Sequence, residues 1–216
     1  MHGEPPAAAD HPPLIGVCGP VGAGKSTIGA LLATALRYQF FRERYEDNPF
    51  FERFLDDRPT WAFRSQVAFM LGSIEDAAHA RADPNGAVIE RPTREMFGVF
   101  VRSLHSDRSL ADDERDTLER LTELGNKLAD PPDLLIVLSG DPRRLLERIR
   151  ARGRRGERTA YSPTVMEELA TAYDDWRRTL DESLVIDRDA TSRDLRQPEE
   201  IRSLKLEVQD RLQNRP

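Results

Sequence analysis

Cysteine is almost missing from this sequence: Cys18 stands alone among 216 residues. A lone thiol excludes an internal disulfide and any cysteine-rich metal centre. Its setting in an apolar run makes it a packing residue and not a nucleophile. Also missing is any apolar run near the roughly 20 residues that cross a bilayer. Positive charge is outnumbered, with 32 Lys and Arg against 38 Asp and Glu and a net charge of −6. General nucleic-acid binding asks for a basic face, so that class is set aside, as is a membrane protein. Met1 to Pro13 carries four prolines and no basic-then-apolar segment. Residues 1–13 are therefore expected to be a disordered lead-in and not a secretion signal. Residues 14–216 suit one α/β domain, with no repeat or inner boundary, in the cytoplasm.

What is present begins with Gly19-Pro20-Val21-Gly22-Ala23-Gly24-Lys25-Ser26-Thr27. Two glycines separated by four residues, then Lys and Ser, form the phosphate-binding loop pattern. Before it, Leu14-Ile15-Gly16-Val17-Cys18 reads as a strand; after it, Ile28 to Leu36 reads as a helix. Glycines let backbone N–H groups converge on a phosphate, and the helix start adds its positive dipole end. In such a loop Lys25 reaches the β- and γ-phosphates and the Ser26 hydroxyl holds Mg²⁺. Lys25 is expected to be exposed. A chance glycine turn would not sit so exactly between a strand and a helix.

Further along, residues 38–45 read as a second strand, broken by Asp47-Asn48-Pro49. Phe50 to Leu55 has helical spacing, and a longer helix opens at Pro59 and carries apolar residues to Ile74. Ala87-Val88-Ile89 is a third strand running into Glu90-Arg91. A leucine stripe predicts a helix over 111–129, and Leu134 to Leu138 is apolar throughout, as a buried parallel strand should be. A capped helix follows Asp141-Pro142, then a helix over 161–180, a fifth strand over 183–187 and a closing helix over 198–212. Alternating strands and helices imply a five-stranded parallel sheet covered on both faces.

Ligands of open parallel sheets bind beyond the carboxyl ends of the strands. Glu43, Glu46 and Asp47 follow the second strand; Glu90 and Arg91 follow the third. A kinase needs a base or orienting carboxylate at the acceptor, a metal contact, and cations for the phosphoryl group. Glu43, Glu90 and Arg91 can fill those roles, although each alone also reads as a solvated charge. Arginines crowd the segment from Arg148 to Arg158, including the flexible turn Arg152-Gly153-Arg154-Arg155-Gly156. This turn reads as a lid over a triphosphate, with a solvated helix end as the plainer reading; a nucleic-acid patch is disfavoured, because aromatics are not interleaved and the chain is acidic. A GTPase is excluded. Ala129 stands two residues after Asn126-Lys127 where an Asp is needed, and no Asp-x-x-Gly follows the third strand.

With these residues in place, the chain resembles the deoxynucleoside kinases, especially the bacterial deoxyadenosine and deoxyguanosine kinase branch. The resemblance runs from about residue 14 to 187. It rests on the phosphate loop, on Glu43 through Asp47-Asn48-Pro49-Phe50, on Trp61-Ala62-Phe63 with Gln66, and on Glu90-Arg91. It continues from Pro132-Asp133-Leu134-Leu135 through Glu147-Arg148-Ile149 to Arg152-Gly153-Arg154 and Glu157, with Tyr173 and Trp176 beyond. The resemblance implies a P-loop kinase fold with an arginine-rich lid, ATP and Mg²⁺, a nucleoside acceptor and a homodimer formed through helices beside the sheet. It implies Glu43 as the base for the 5′-hydroxyl and Gln66 as the partner of the nucleobase. Glu90 falls near Mg²⁺, and Arg91 holds Glu43 and the acceptor phosphoryl. Arg148, Arg152 and Arg154 fall on the ATP phosphates, and Glu157 on the sugar 3′-hydroxyl.

The departures lie on the acceptor side. Leu55 stands where the family commonly has a tyrosine for the 3′-hydroxyl, Ser73 where it has an arginine, and Met96 where it has an aspartate. Pro92 replaces the serine after the Glu-Arg pair. The expected activity is ATP-dependent phosphorylation of a deoxynucleoside. The rivals are a kinase-fold binding protein without turnover and a kinase of a nucleoside monophosphate or another small hydroxyl compound.

Overall fold

The structure, a computed structural model, describes residues 11–154 and 156–214. Its centre is a five-stranded, all-parallel sheet in the order β2-β3-β1-β4-β5. The strands are β1 (Leu14–Cys18), β2 (Gln39–Phe41), β3 (Ala87–Glu90), β4 (Leu134–Ser139) and β5 (Val185–Asp189). Side chains alternate across a strand, and here both sets are apolar because both faces are covered. Leu134, Ile136 and Leu138 of β4 join one core; Leu135 and Val137 join the other.

The first core packs against α1 (Lys25–Leu36). On the opposite side, α2 (Phe51–Asp56) and the long α3 (Arg58–Arg81) follow. Asp57 caps α3 by accepting from Thr60 N–H. A short helix α4 (Thr93–Glu95) continues through a π-helical stretch, Met96–Val101, into α5 (Arg102–Ser106). Then come α6 (Asp112–Leu128), α7 (Pro142–Arg152), α8 (Glu157–Ala160), α9 (Pro163–Arg177) and α10 (Pro198–Gln213). Helices α7 and α10 join α1 on the first face, while α9 and the π stretch cover the second.

Several boundaries differ from expectation. The second strand spans Gln39–Phe41 and not 38–45, because Tyr45–Asp47 turns back as a 3₁₀ segment. The expected helix over 161–180 spans Pro163–Arg177, with Glu157–Ala160 a separate turn before it. The fifth strand is shifted to Val185–Asp189. The helical run from Thr93 to Ser106 was not anticipated. Of the expected lead-in, His11, Pro12 and Pro13 are tied down: Pro13 O accepts from Ala87 N–H at 2.9 Å and Pro12 O from Arg81 at 3.1 Å. Residues 1–10, and Arg155 of the arginine-rich turn, lie outside the described residues. Among the described residues no helix is long and apolar enough to cross a membrane.

Because β1 lies between β3 and β4, successive connections leave it in opposite directions. That reversal opens a crevice at the carboxyl ends of the strands, where ligands of such sheets bind.

Candidate active site

The phosphate loop fills the crevice end of β1. Gly22 and Gly24 have φ of 87° and 90°, a region open to glycine at no steric cost. Gly24 directly precedes the first turn of α1, so the helix dipole points into the loop. Lys25 is not exposed as expected: it is 5% accessible, and Nζ donates to Gly19 O at 2.8 Å and Pro20 O at 3.2 Å. Burial, and then the nearby Arg91 charge, lower its pKa. A buried ammonium held by two carbonyls is ready to exchange them for phosphate oxygens.

The Ser26 hydroxyl donates to Glu90 Oε1 at 3.0 Å. Burial raises the Glu90 pKa, opposed by the Lys25 charge. Among the described residues no cluster of three His, Cys, Asp or Glu could hold a metal by itself. A hydroxyl and one carboxylate beside a phosphate loop is nonetheless the donor set that Mg²⁺ takes, since it draws its remaining ligands from phosphate and water.

Arg91 follows Glu90 with φ 54°, a left-handed conformation that costs a non-glycine residue about 1–3 kcal/mol. The surroundings hold it there: its N–H donates to Val17 O at 3.1 Å and its carbonyl accepts the Ser73 hydroxyl at 3.2 Å. The strained turn aims the guanidinium at Glu43, with Nε to Oε1 2.8 Å. Burial alone would lower the Arg91 pKa, but Glu43, Tyr173 and Glu95 outweigh it and raise it well above the ordinary value.

Lys25, Ser26, Thr27, Glu43, Gln66, Glu90, Arg91, Met96, Arg152, Arg154 and Glu157 meet around one cavity of about 260 Å³, together with Gly22 and Gly24. Gln66, only 4% accessible, comes from α3. Asn48 holds the 45–50 turn to that helix through the Ser65 carbonyl at 3.0 Å and hydroxyl at 3.1 Å. Tyr45, Phe51, Phe54, Phe69, Phe100 and Tyr161 complete an aromatic wall. The rings of Phe51 and Phe69 meet edge to face at 5.5 Å. Local spacing marks Phe51, Phe54 and Phe69 as apolar helix positions, but not their meeting with Tyr45, Phe100 and Tyr161.

The lid is drawn in. Glu157 accepts from Arg152 at 2.7 and 3.3 Å and lies 3.8 Å from Arg154, whose guanidinium sits 4.1 Å from the centre of the Tyr45 ring. Glu157 is thus committed to arginines in this conformation. Five expected site residues are not on the wall of this cavity: Gly19 and Ala23 of the loop, and Leu55, Ser73 and Arg148. Leu55 does not line the cavity; it packs under Gly156 of the lid turn. Ser73 lines an adjoining cleft together with Glu43, Glu90 and Met96, and its hydroxyl donates to the Arg91 carbonyl. Arg148 donates to Ala190 O at 2.8 Å and lines a second cleft with Gly22, Ala23, Gly24, Thr27 and residues 190–196, whereas Arg152 and Arg154 line the first. Its stretch Ala190 to Arg196 drew no notice in the sequence.

A phosphate loop at the switch point of a parallel sheet, joined in one cavity to a carboxylate–arginine pair and a lid of arginines, defines a phosphotransferase that uses a nucleoside triphosphate. The comparisons with known proteins place it further. The family model for deoxynucleoside kinase matches residues 15–212, and the chain belongs to that family of enzymes, which phosphorylate deoxynucleosides from ATP. It is 32% identical over 166 residues to deoxyadenosine/deoxycytidine kinase of Bacillus subtilis, covering 76% of each chain. It is 30% identical over 197 residues to deoxyguanosine kinase of Lactobacillus johnsonii, covering 88% of this chain and 87% of that one. The fold matches the structure of deoxyadenosine kinase from M. mycoides with bound dCTP, with a TM-score of 0.73 at 22% identity over 91% of this chain and 99% of that one.

Proposed function

We propose that this deoxynucleoside kinase transfers the γ-phosphoryl group of ATP to the 5′-hydroxyl of its acceptor, with Glu43 as base and with weak selection among nucleobases. One observation carries the proposal: Glu43, Gln66 and the phosphate-loop residues Lys25 and Ser26 open onto the same cavity. Glu43 takes the 5′-hydroxyl proton as that oxygen bonds to the γ-phosphorus, and the bond to the β,γ-bridging oxygen breaks to leave ADP. Arg91 orients Glu43 and balances charge on the transferring group. Lys25 leaves the Gly19 and Pro20 carbonyls for the β- and γ-phosphates. Ser26 and Glu90 would hold Mg²⁺, which neutralises phosphate charge when bound. Arg152 and Arg154 move from Glu157 to the phosphates, which leaves Glu157 for the 3′-hydroxyl. Arg148 serves the donor from the second cleft.

Around Gln66 the wall that would meet a base is aromatic or, at Met96, a flexible thioether. A site built on hydrogen bonds rejects a wrong partner by about 10⁴–10⁵, whereas an apolar pocket manages about 10–200 per methylene. The similar proteins are themselves named for different bases, adenine and cytosine in one case and guanine in another. A homodimer in the cytoplasm completes the proposal: neighbouring α3 and α6 expose Leu71, Leu124 and Leu128, apolar surface suited to a second copy.

The test is ADP formation and 5′-monophosphate product across all natural deoxynucleosides and ribonucleosides. Several deoxynucleosides should react with kcat/KM values within about 10³ of one another. One nucleoside preferred by more than about 10⁴ would overturn the base proposal. ATP binding with no nucleoside phosphorylated would overturn the acceptor, in favour of a monophosphate or another small hydroxyl compound.

A further inference from the structure

Arg91 answers to more than Glu43. Its guanidinium lies 4.3 Å from the centre of the Phe100 ring, and Nη1 stands 3.5 Å from the Tyr173 hydroxyl and 3.6 Å from Glu95 Oε1. Glu95 has no exposed surface and does not line the cavity, so it touches neither substrate. Its Oε1 accepts the Gly19 N–H at 2.9 Å and contacts the Tyr173 hydroxyl. That hydroxyl also lies 2.7 Å from Gly19 O, the carbonyl that accepts from Lys25. Burial, followed by the Glu95 charge, raises the Tyr173 pKa well above the ordinary value, so the phenol keeps its proton. Oε2 of Glu95 is buried with no hydrogen-bond partner among the described residues, and the buried Cys18 thiol lies beside the carboxylate, its pKa raised by burial and then by the Glu95 charge.

A buried acid with one oxygen unsatisfied destabilises the fold, and a glutamine or an apolar side chain would pack there at less cost. What the acid adds is a fixed negative charge beside Arg91. Without it, Glu43 would be the one carboxylate left in an ion pair with the buried guanidinium among the described residues, and an ion pair in a low dielectric binds tightly. Glu43 would then be held where it is, with its lone pairs committed.

We propose that Glu95 is a positioning residue: the second counter-ion of Arg91, which leaves Glu43 free to take the acceptor proton and sets Arg91 in register with the phosphate loop through Gly19. This rests on the assignment of Glu43 as base.

Glu95→Gln isolates the charge, because the amide oxygen still accepts from Gly19 N–H. KM for ATP and for the nucleoside should stay within about threefold of wild type, while kcat falls roughly 10–100-fold, the usual loss when the support of an oriented group is removed. In a Glu43→Gln background the same change should cost less than about threefold, because Glu95 acts through Glu43; a loosened core would instead multiply the two losses. Should Glu95→Gln fail to fold, Tyr173→Phe removes the hydroxyl between Glu95 and Gly19 and should give a smaller kcat loss with the same non-additivity. Wild-type kcat in Glu95→Gln, or losses that multiply with Glu43→Gln, overturns the proposal. A wild-type protein that phosphorylates nucleosides, with Glu43→Gln equally active, overturns the base assignment instead.

Discussion

The two halves of the cavity are built by different means. The donor half is mostly backbone and contiguous sequence: nine residues from Gly19 to Thr27 place the loop, the lysine and the serine on one helix start. The acceptor half is side chains drawn from the 43–48 turn, α2, α3, the end of β3 and the π stretch, which meet only when the chain is folded. The donor half binds a feature common to every nucleoside triphosphate, so its geometry leaves little freedom. The residues expected to depart from the family pattern, Leu55, Ser73 and Met96, all belong to the acceptor half. Leu55 packs against the lid turn, and Ser73 donates to the Arg91 carbonyl in an adjoining cleft.

If the halves are separable, damage to each should read out differently. Lys25→Ala should give the largest effect, a fall in kcat of about 10³–10⁵, the worth of a cation on the transferring phosphoryl group. Retained turnover in the purified variant would remove the donor half from the chemistry. Glu43→Gln should cost about 10²–10⁴ in kcat, the usual worth of a general base, with ATP affinity unchanged by calorimetry. If Glu46→Gln proves the damaging change, the base lies one turn along. Its carboxylate is exposed and paired with Arg42 at 3.1 Å, which argues for a small effect.

Gln66→Ala should act on the acceptor half alone. It removes hydrogen bonds worth roughly 1–3 kcal/mol, so kcat/KM for nucleosides falls about 5–150-fold while KM for ATP holds. A matching rise in KM for ATP would show the halves to be one unit. The smallest effect is expected at Gly98. A Cβ there would come 2.2 Å from Trp176 Cδ1, so Gly98→Ala must push the π stretch off α9. Overpacking of this kind costs about 1–3 kcal/mol, read as a lower thermal midpoint. Acceptor KM should rise with it, because Met96 and Phe100 ride on the same stretch.

By itself the sequence determined what depends on local pattern. The phosphate loop, the five strands, their parallel order of helices and strands, and the polar residues at strand ends follow from short-range spacing and backbone chemistry, as did the buried place of Cys18. Tertiary structure decided what depends on residues far apart in the chain. It buried Lys25 under its own loop and set Arg148 in a second cleft, on the Ala190 carbonyl. It packed Leu55 under the lid turn, set Ser73 in an adjoining cleft and joined Glu95 to Gly19, 76 positions away. An acid four residues after Arg91 was visible as an ion-pair spacing, yet nothing local distinguishes it from a solvated charge. Its meaning comes from complete burial against Gly19 and Tyr173, and burial is a property of the packed chain, created when distant segments exclude water together.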